Sequence, residues 1–180
     1  MQAVQEKIYT VEEYFELEKT SEARHEFVNG TLIEMPGESK KANEIAGNLY
    51  ILLKRLLKKR ALKVYSHDVR VYVTDTHYRY PDVVVSPTVD DADSHAVMLP
   101  VLIVEVLSDS TSEIDTFIKT REYCSLPSLQ HYLIVSQDET VVQLYSRREK
   151  TWEFSFYSTL EESIPLNNLE IALPMNEVFE

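Results

Sequence analysis

The chain has 180 residues with 44% apolar content spread along its length, enough for one domain with a hydrophobic core and too much for a disordered protein. Its formal charge of −12 argues against a protein that depends on non-specific attraction to nucleic acid, and no apolar stretch approaches a membrane span. The single cysteine, Cys124, rules out an intrachain disulfide and a four-cysteine zinc cage; with no basic-then-apolar leader at the N-terminus, it points to a reducing, cytoplasmic setting.

Thr10-Val11-Glu12-Glu13 predicts a capped helix running to about Lys19. Arg24 to Val28 and Thr31 to Met35 read as a hairpin joined by Asn29-Gly30, a two-residue turn signal. Ser39 can cap a long helix whose buried face carries Ile45, Leu49, Leu52, Leu53, Leu56 and Leu57 and which ends near Arg60. Strands are expected at 63–65, 69–73, 80–85 and 101–107, with a surface loop over 86–99. A second helix spans about 112–124 and stops before Pro127. Strands at 131–135, 141–145 and 152–156 follow, then a tail from Leu160 packed on the domain. This order predicts an α+β fold over residues 1–180, one mixed β-sheet flanked by helices, with an N-terminal helix and β-hairpin. The 101–107, 112–124, 131–135 stretch reads as a right-handed crossover with 101–107 central.

Charge is uneven. Residues 1–60 hold ten basic and ten acidic residues, and the remainder eight and twenty. Lys54, Arg55, Lys58, Lys59, Arg60 and Lys63 form a basic patch, open to two readings: a phosphate-facing surface, or cations suited to a helix C-terminus.

Two carboxylates stand out. Glu105 interrupts the apolar run Val101 to Leu107, and by alternation it shares a face with Val101 and Ile103. That face is too apolar to be solvated, so Glu105 lies in the core or a cleft and requires a cation, a hydrogen-bond partner or a raised pKa. Asp82 opens a run of three valines in the same way. A divalent cation, Mg²⁺ or Mn²⁺, satisfies both acids, with the Val106 carbonyl as a further ligand. The alternative is a buried ion pair between Glu105 and a lysine or arginine. Lys119 lies fourteen residues beyond Glu105, on a helical stripe with Thr111, Asp115 and Tyr123, while Ile114, Phe117, Ile118 and Leu126 supply apolar contacts. Its ammonium could orient water or offset phosphate charge, or simply pair with Asp115. Glu26 either joins the water network of this site or pairs with Arg24 or Arg79. The five histidines lack zinc spacing, and three glycines cannot build a phosphate loop. The eleven tyrosines, among them Tyr65, Tyr72, Tyr78, Tyr80 and Tyr132, suit a groove or a homodimer interface.

Tyr80-Pro81-Asp82-Val83-Val84-Val85, the segment Val104 to Thr111, and then Asp115, Lys119 and Tyr123 resemble the Uma2 family, a restriction-endonuclease-like group abundant in cyanobacteria. Arg24 to Gly30, with Met35 and Gly37, resembles its N-terminal signature, so the likeness covers about residues 8–175. The resemblance implies the PD-(D/E)XK nuclease fold, Asp82 and Glu105 as metal-binding acids, Glu26 as the N-terminal glutamate, and DNA as substrate. The usual lysine position holds Leu107, and the resemblance moves that role to Lys119. One departure is Ala42, in Ala42-Asn43-Glu44-Ile45, where many members carry a histidine. The sequence therefore supports a metal-dependent DNA endonuclease, with a non-catalytic nucleic-acid or protein-binding domain on the same scaffold as the alternative. The alternative expects Asp82 and Glu105 to point apart, or Lys119 to lie far from both.

Overall fold

A computed structural model describes residues 7–89, 95–107 and 113–180, with side chains from residue 116 onward in the last stretch. Helix α1 (Val11–Thr20) begins with the expected capping box: Glu13 N–H donates to Thr10 Oγ1 at 3.2 Å, and Thr10 N–H to Glu13 Oε2 at 2.9 Å. Strands β1 (His25–Val28) and β2 (Thr31–Glu34) form the hairpin. Its turn residues Asn29 and Gly30 both have positive φ, 49° and 87°, as a tight turn between twisted strands requires. A Cβ at Gly30 would also meet Ile8 Cγ2 at 2.5 Å.

Helix α2 (Lys40–Leu56) is capped by Ser39, whose Oγ accepts the Ala42 N–H at 3.0 Å. The next strands are β3 (Leu62–Ser66), β4 (Arg70–Thr74), β5 (His77–Arg79), β6 (Val83–Pro87), β7 (Ala96–Val97) and β8 (Leu102–Leu107). Helix α3 (Glu113–Ser125) leads to β9 (His131–Ser136), β10 (Val142–Arg148), β11 (Thr151–Tyr157), β12 (Ser163–Leu166), β13 (Ile171–Pro174) and α4 (Met175–Phe179).

The mixed α+β architecture is as expected, but the strands divide over three sheets, not one. A five-stranded sheet has the order β2-β1-β5-β4-β7, a six-stranded sheet the order β11-β10-β9-β8-β6-β3, and β12 and β13 pair separately. The strand expected over 80–85 begins only at Val83, as β6 in the second sheet, and a strand not expected from sequence, β5, ends just before it at Arg79 in the first sheet. Tyr80-Pro81-Asp82 carries the chain across, and Pro81 has no N–H to give to a ladder. The expected 86–99 loop holds β7, which pairs in parallel with β4. Strands β8 and β9 run parallel around α3, and β8 is flanked on both sides, as the crossover reading requires.

Alternation along β6, β8 and β9 divides the core between two faces of the larger sheet. Val83, Val85, Leu102, Val104, Leu133 and Val135 face the apolar stripe of α2 and the α4 tail. Val84, Ile103, Tyr132 and Ile134 face Tyr123, Leu126 and Leu129 of the α3 segment, with Val71 and Val73 of β4. Phe117 and Ile118 do not pack inward as expected; they are 68% and 42% exposed. The inward stripe of α3 centres on Tyr123 instead. Among the described residues no helix is long and apolar enough to cross a membrane.

Candidate active site

Glu105 sits on the α3-facing side of β8, next to Ile103, and is 4% exposed. Its Oε1 accepts the Tyr123 hydroxyl at 2.8 Å and lies 3.7 Å from Lys119 Nζ. Burial, then the charges of Glu105 and Glu26, push the Tyr123 phenol well above its usual range, so it remains a donor.

Glu26, from β1, reaches the same place across the gap between the sheets and is 5% exposed. Its Oε2 accepts Arg79 Nη1 at 2.6 Å, and its Oε1 lies 3.1 Å from Lys119 Nζ, an ion-pair distance without hydrogen-bond geometry. Arg79, on β5, also grips Glu122 of α3 through Nε and Nη2, at 2.8 and 3.0 Å. Burial opposes the Arg79 charge, but the Glu122 and Glu26 carboxylates more than offset it and hold the guanidinium above its usual range. Of the two partners open to Glu26 in sequence, Arg79 is the one it takes; Arg24 pairs with Asp68 at 3.3 Å. The result is a row of alternating charge, Glu122, Arg79, Glu26, Lys119, Glu105, that ties both sheets to α3.

The alternation fails at Asp82. Val83 of β6 pairs with Val104 of β8, so continuing that register sets Asp82 across from Glu105 and Pro81 across from Val106. Asp82 Oδ2 accepts the Val106 N–H at 2.5 Å, in the place of a main-chain carbonyl, while Pro81 has no N–H to offer the Val106 carbonyl. Among the described residues no lysine or arginine pairs with Asp82. Burial, then the charge of Glu105, raise its carboxyl to about 8 despite the Val106 bond, and Glu38 adds to the rise. Glu38, His67 and Asp82 bring one ligand atom each within 4.8 Å of one another, and Glu38 Oε1 lies 3.1 Å from His67 Nδ1. They line an open cleft of about 550 Å³, together with Arg24 and Lys40.

Sequence reasoning brought together Asp82, Glu105, Lys119 and Glu26, and missed Arg79 with Glu122 as a clamp and Glu38 with His67 as neighbours of Asp82. Nothing local in the sequence marks His67; in the structure its φ is positive, 53°, rare for a residue with a side chain. Thr111 lies outside the described residues, as does the Asp115 side chain, so the Asp115–Lys119 pair does too. Tyr78 and Tyr132 are core residues, not groove walls. The basic patch lies at the far end of α2, whose 17 residues span about 25 Å, while Ser39, Lys40 and Asn43 at the near end line the cleft. Arg55 and Arg60 of that patch pair with Glu177 and Glu170 of the tail.

The sequence matches the Uma2 family, described as "Putative restriction endonuclease", over residues 11–176. The chain belongs to the Uma2 family. Two Synechocystis sp. (strain ATCC 27184 / PCC 6803 / Kazusa) proteins are similar to this Uma2 chain. "Uncharacterized protein sll1609" is 35% identical over 135 residues, covering 73% of the chain and 76% of the relative. "Uncharacterized protein slr1290" is 33% identical over 142 residues, covering 77% and 74%. The crystal structure of "a putative nuclease belonging to DUF820" from Anabaena variabilis ATCC 29413 superposes with a TM-score of 0.76 at 18% identity, covering 94% of this chain and 97% of that one. At that identity the likeness establishes a nuclease-like fold. Within the Uma2 pattern, position 42 here is a buried alanine in the first turn of α2.

Proposed function

We propose that this Uma2 protein is a Mg²⁺- or Mn²⁺-dependent endonuclease that hydrolyses DNA phosphodiester bonds, built as one nuclease-like domain over residues 1–180. The observation that carries the reading is the meeting of Asp82, half-buried, with Glu105, buried on the facing strand, where burial and then the Glu105 charge raise the Asp82 carboxyl and no lysine or arginine among the described residues pairs with it. The donor set fits a hard divalent cation: Asp82 and Glu105 carboxylates, the Val106 carbonyl on the strand edge facing Pro81, and Glu38 and His67 on the cleft side. When bound, such a cation lowers the pKa of its water and offsets charge on the phosphate.

The chain's own residues supply the rest. Lys119, held between Glu26 and Glu105, presents an ammonium beside the acids, where it can orient the attacking water or meet charge on the phosphate. Glu26 positions Lys119, and Arg79 positions Glu26. Tyr123 fixes the Glu105 carboxylate by donating to Oε1. Arg24 and Lys40 line the cleft and supply cations for a phosphate backbone in an acidic protein. A homodimer completes the reading, because a duplex presents two strands to cut, and the single cysteine fits a cytoplasmic setting. The non-catalytic alternative expected Lys119 remote from both acids, and a separation of 3.7 Å from Glu105 weighs against it.

The test is incubation of the purified protein with supercoiled and linear DNA in Mn²⁺ or Mg²⁺, with manganese binding followed by calorimetry. Nicking that is lost with chelator and in Glu105→Gln, with the circular dichroism of the variant unchanged, is the expected result. No cleavage across the DNA panel together with no heat of metal binding would refute it.

A further inference from the structure

The six-stranded sheet stops at β11, which pairs with β10 and, among the described residues, with no other strand. An open edge strand presents unpaired N–H and C=O groups, and proteins blunt such edges with proline, bulges, brevity or inward charge. Strand β11 shows none of these, and its one charged residue, Glu153, is neutralised by Arg148 of β10 at 2.8 Å. It is seven residues long, Thr-Trp-Glu-Phe-Ser-Phe-Tyr, without proline, and it pairs with β10 at every residue without a register shift. By alternation Trp152, Phe154 and Phe156 share one face. Phe154 and Phe156 are 54% and 53% exposed, while Phe154 packs on Tyr145 at 5.2 Å and Trp152 lies under Arg147 at 4.5 Å. The aromatic face is anchored on its inner side and open along its rim.

We propose that this edge pairs with the β11 of a second copy of the chain, antiparallel about a twofold axis, and extends the sheet across the dimer. A twofold makes the strand its own partner, so the register must suit its own sequence. Centred on Phe154, the pairing sets Phe154 opposite the partner's Phe154 and Trp152 opposite the partner's Phe156, so the aromatics of both copies form cross-strand pairs. Centred one residue earlier, it would set two Glu153 carboxylates directly opposite, which is repulsive. The Phe154 register also lays Lys150 of the hairpin end beside the partner's 158–162 segment, which carries Glu161; Arg148 is held by Glu153 at 2.8 Å, and Glu162 by the Ser158 and Thr159 N–H groups. A cation at one end of the edge thus meets an anion at the other, twice per dimer. The surface rests on the homodimer part of the functional reading and is read out by mass, so an inactive protein leaves it standing.

The experiment is sedimentation of the full chain at about 1–100 μM, with Phe154→Lys/Phe156→Lys alongside. The wild type is expected to sediment as a dimer that dissociates on dilution, and the double variant as a monomer with an unchanged circular dichroism spectrum. Should the variant fail to fold, hydrogen exchange of the wild type decides: the β11 amides are expected to become protected as concentration rises. Phe154→Cys, in a Cys124→Ser background, is expected to crosslink two chains under mild oxidation, because the axis passes beside this position. A monomer at every concentration, a dimer that survives the lysine pair, β11 amides whose exchange ignores concentration, or a dimer docked by some other chain's strand would overturn the proposal.

Discussion

Replacing Asp82 by asparagine removes a half-buried ionisable group while keeping an oxygen for the Val106 N–H. In the unfolded chain the Asp82 carboxyl ionises near 3.8, and in the folded protein, with burial and Glu105 against it, near 8. Between these values the unfolded state has released a proton that the folded state retains, so this group's contribution to stability falls as pH rises through the window. At pH 7 about three pH units of it have been crossed, a ceiling of about 4 kcal/mol at roughly 1.4 kcal/mol per unit. Relaxation and solvent entering the cleft lower this to about 2–4 kcal/mol. Metal-free Asp82→Asn is therefore expected to melt roughly 5–15 °C above the wild type at pH 7 for a chain of this size, with the gap closing near pH 4. Scanning calorimetry in chelator from pH 4 to 8 measures it. Adding Mn²⁺ should then raise the wild type, by about 2.7 kcal/mol at a hundredfold excess over Kd, and leave the variant almost unmoved. A variant no more stable than the wild type at pH 7, or a gap that does not widen with pH, would refute the reasoning that like charges meet at this site.

Arg79→Met leaves Glu26 and Glu122 without their shared guanidinium and should cost about 3–5 kcal/mol in urea unfolding, as removal of one partner from a buried ion pair does; a loss under about 1 kcal/mol would mean the clamp is slack. Burial pushes the fully enclosed His131 imidazole down to about 4 from 6.5, so the unfolded chain binds the extra proton between those values and stability should rise with pH there. The total is at most about 3 kcal/mol, and urea midpoints for the wild type and His131→Gln from pH 4 to 7 check it. Equal slopes for the two proteins would show that His131 does not carry the effect. Lys119→Met should abolish DNA cleavage while Mn²⁺ binding by calorimetry stays within about threefold, since Lys119 supplies charge and not a ligand; cleavage at wild-type rate would remove Lys119 from the mechanism.

The features legible in sequence were those fixed by neighbours along the chain. The Thr10–Glu13 box, the Asn29-Gly30 turn and the Ser39 cap each depend on residues within a few positions of one another. Burial of Glu105 was legible because alternation ties it to Ile103 on the same strand. Arg79 and Glu122 are 43 positions apart, and Glu38 and His67 are 29. Nothing local announces such pairs, because they exist only once sheet order and register are set. Strand β5 was hidden by its brevity, three polar and aromatic residues ahead of Pro81, and the change of sheet at Pro81 by the apolar run beyond it, which reads as strand whichever sheet it joins. Exposure of Phe117 and Ile118 was hidden for a related reason: helical periodicity ranks faces by apolarity, and here the inward face is the one carrying Lys119, Glu122 and Tyr123.

The row of paired charges gives the protein a structural stake in residues that look catalytic. Glu26, Arg79 and Glu122 hold one sheet to the helix that serves the other, so a descendant that had abandoned chemistry would still need them to stay folded. Asp82 is the opposite case, a liability that only a working site repays. In a copy kept for its fold alone, selection for stability would favour replacing that aspartate, so position 82 separates a retained scaffold from a working enzyme.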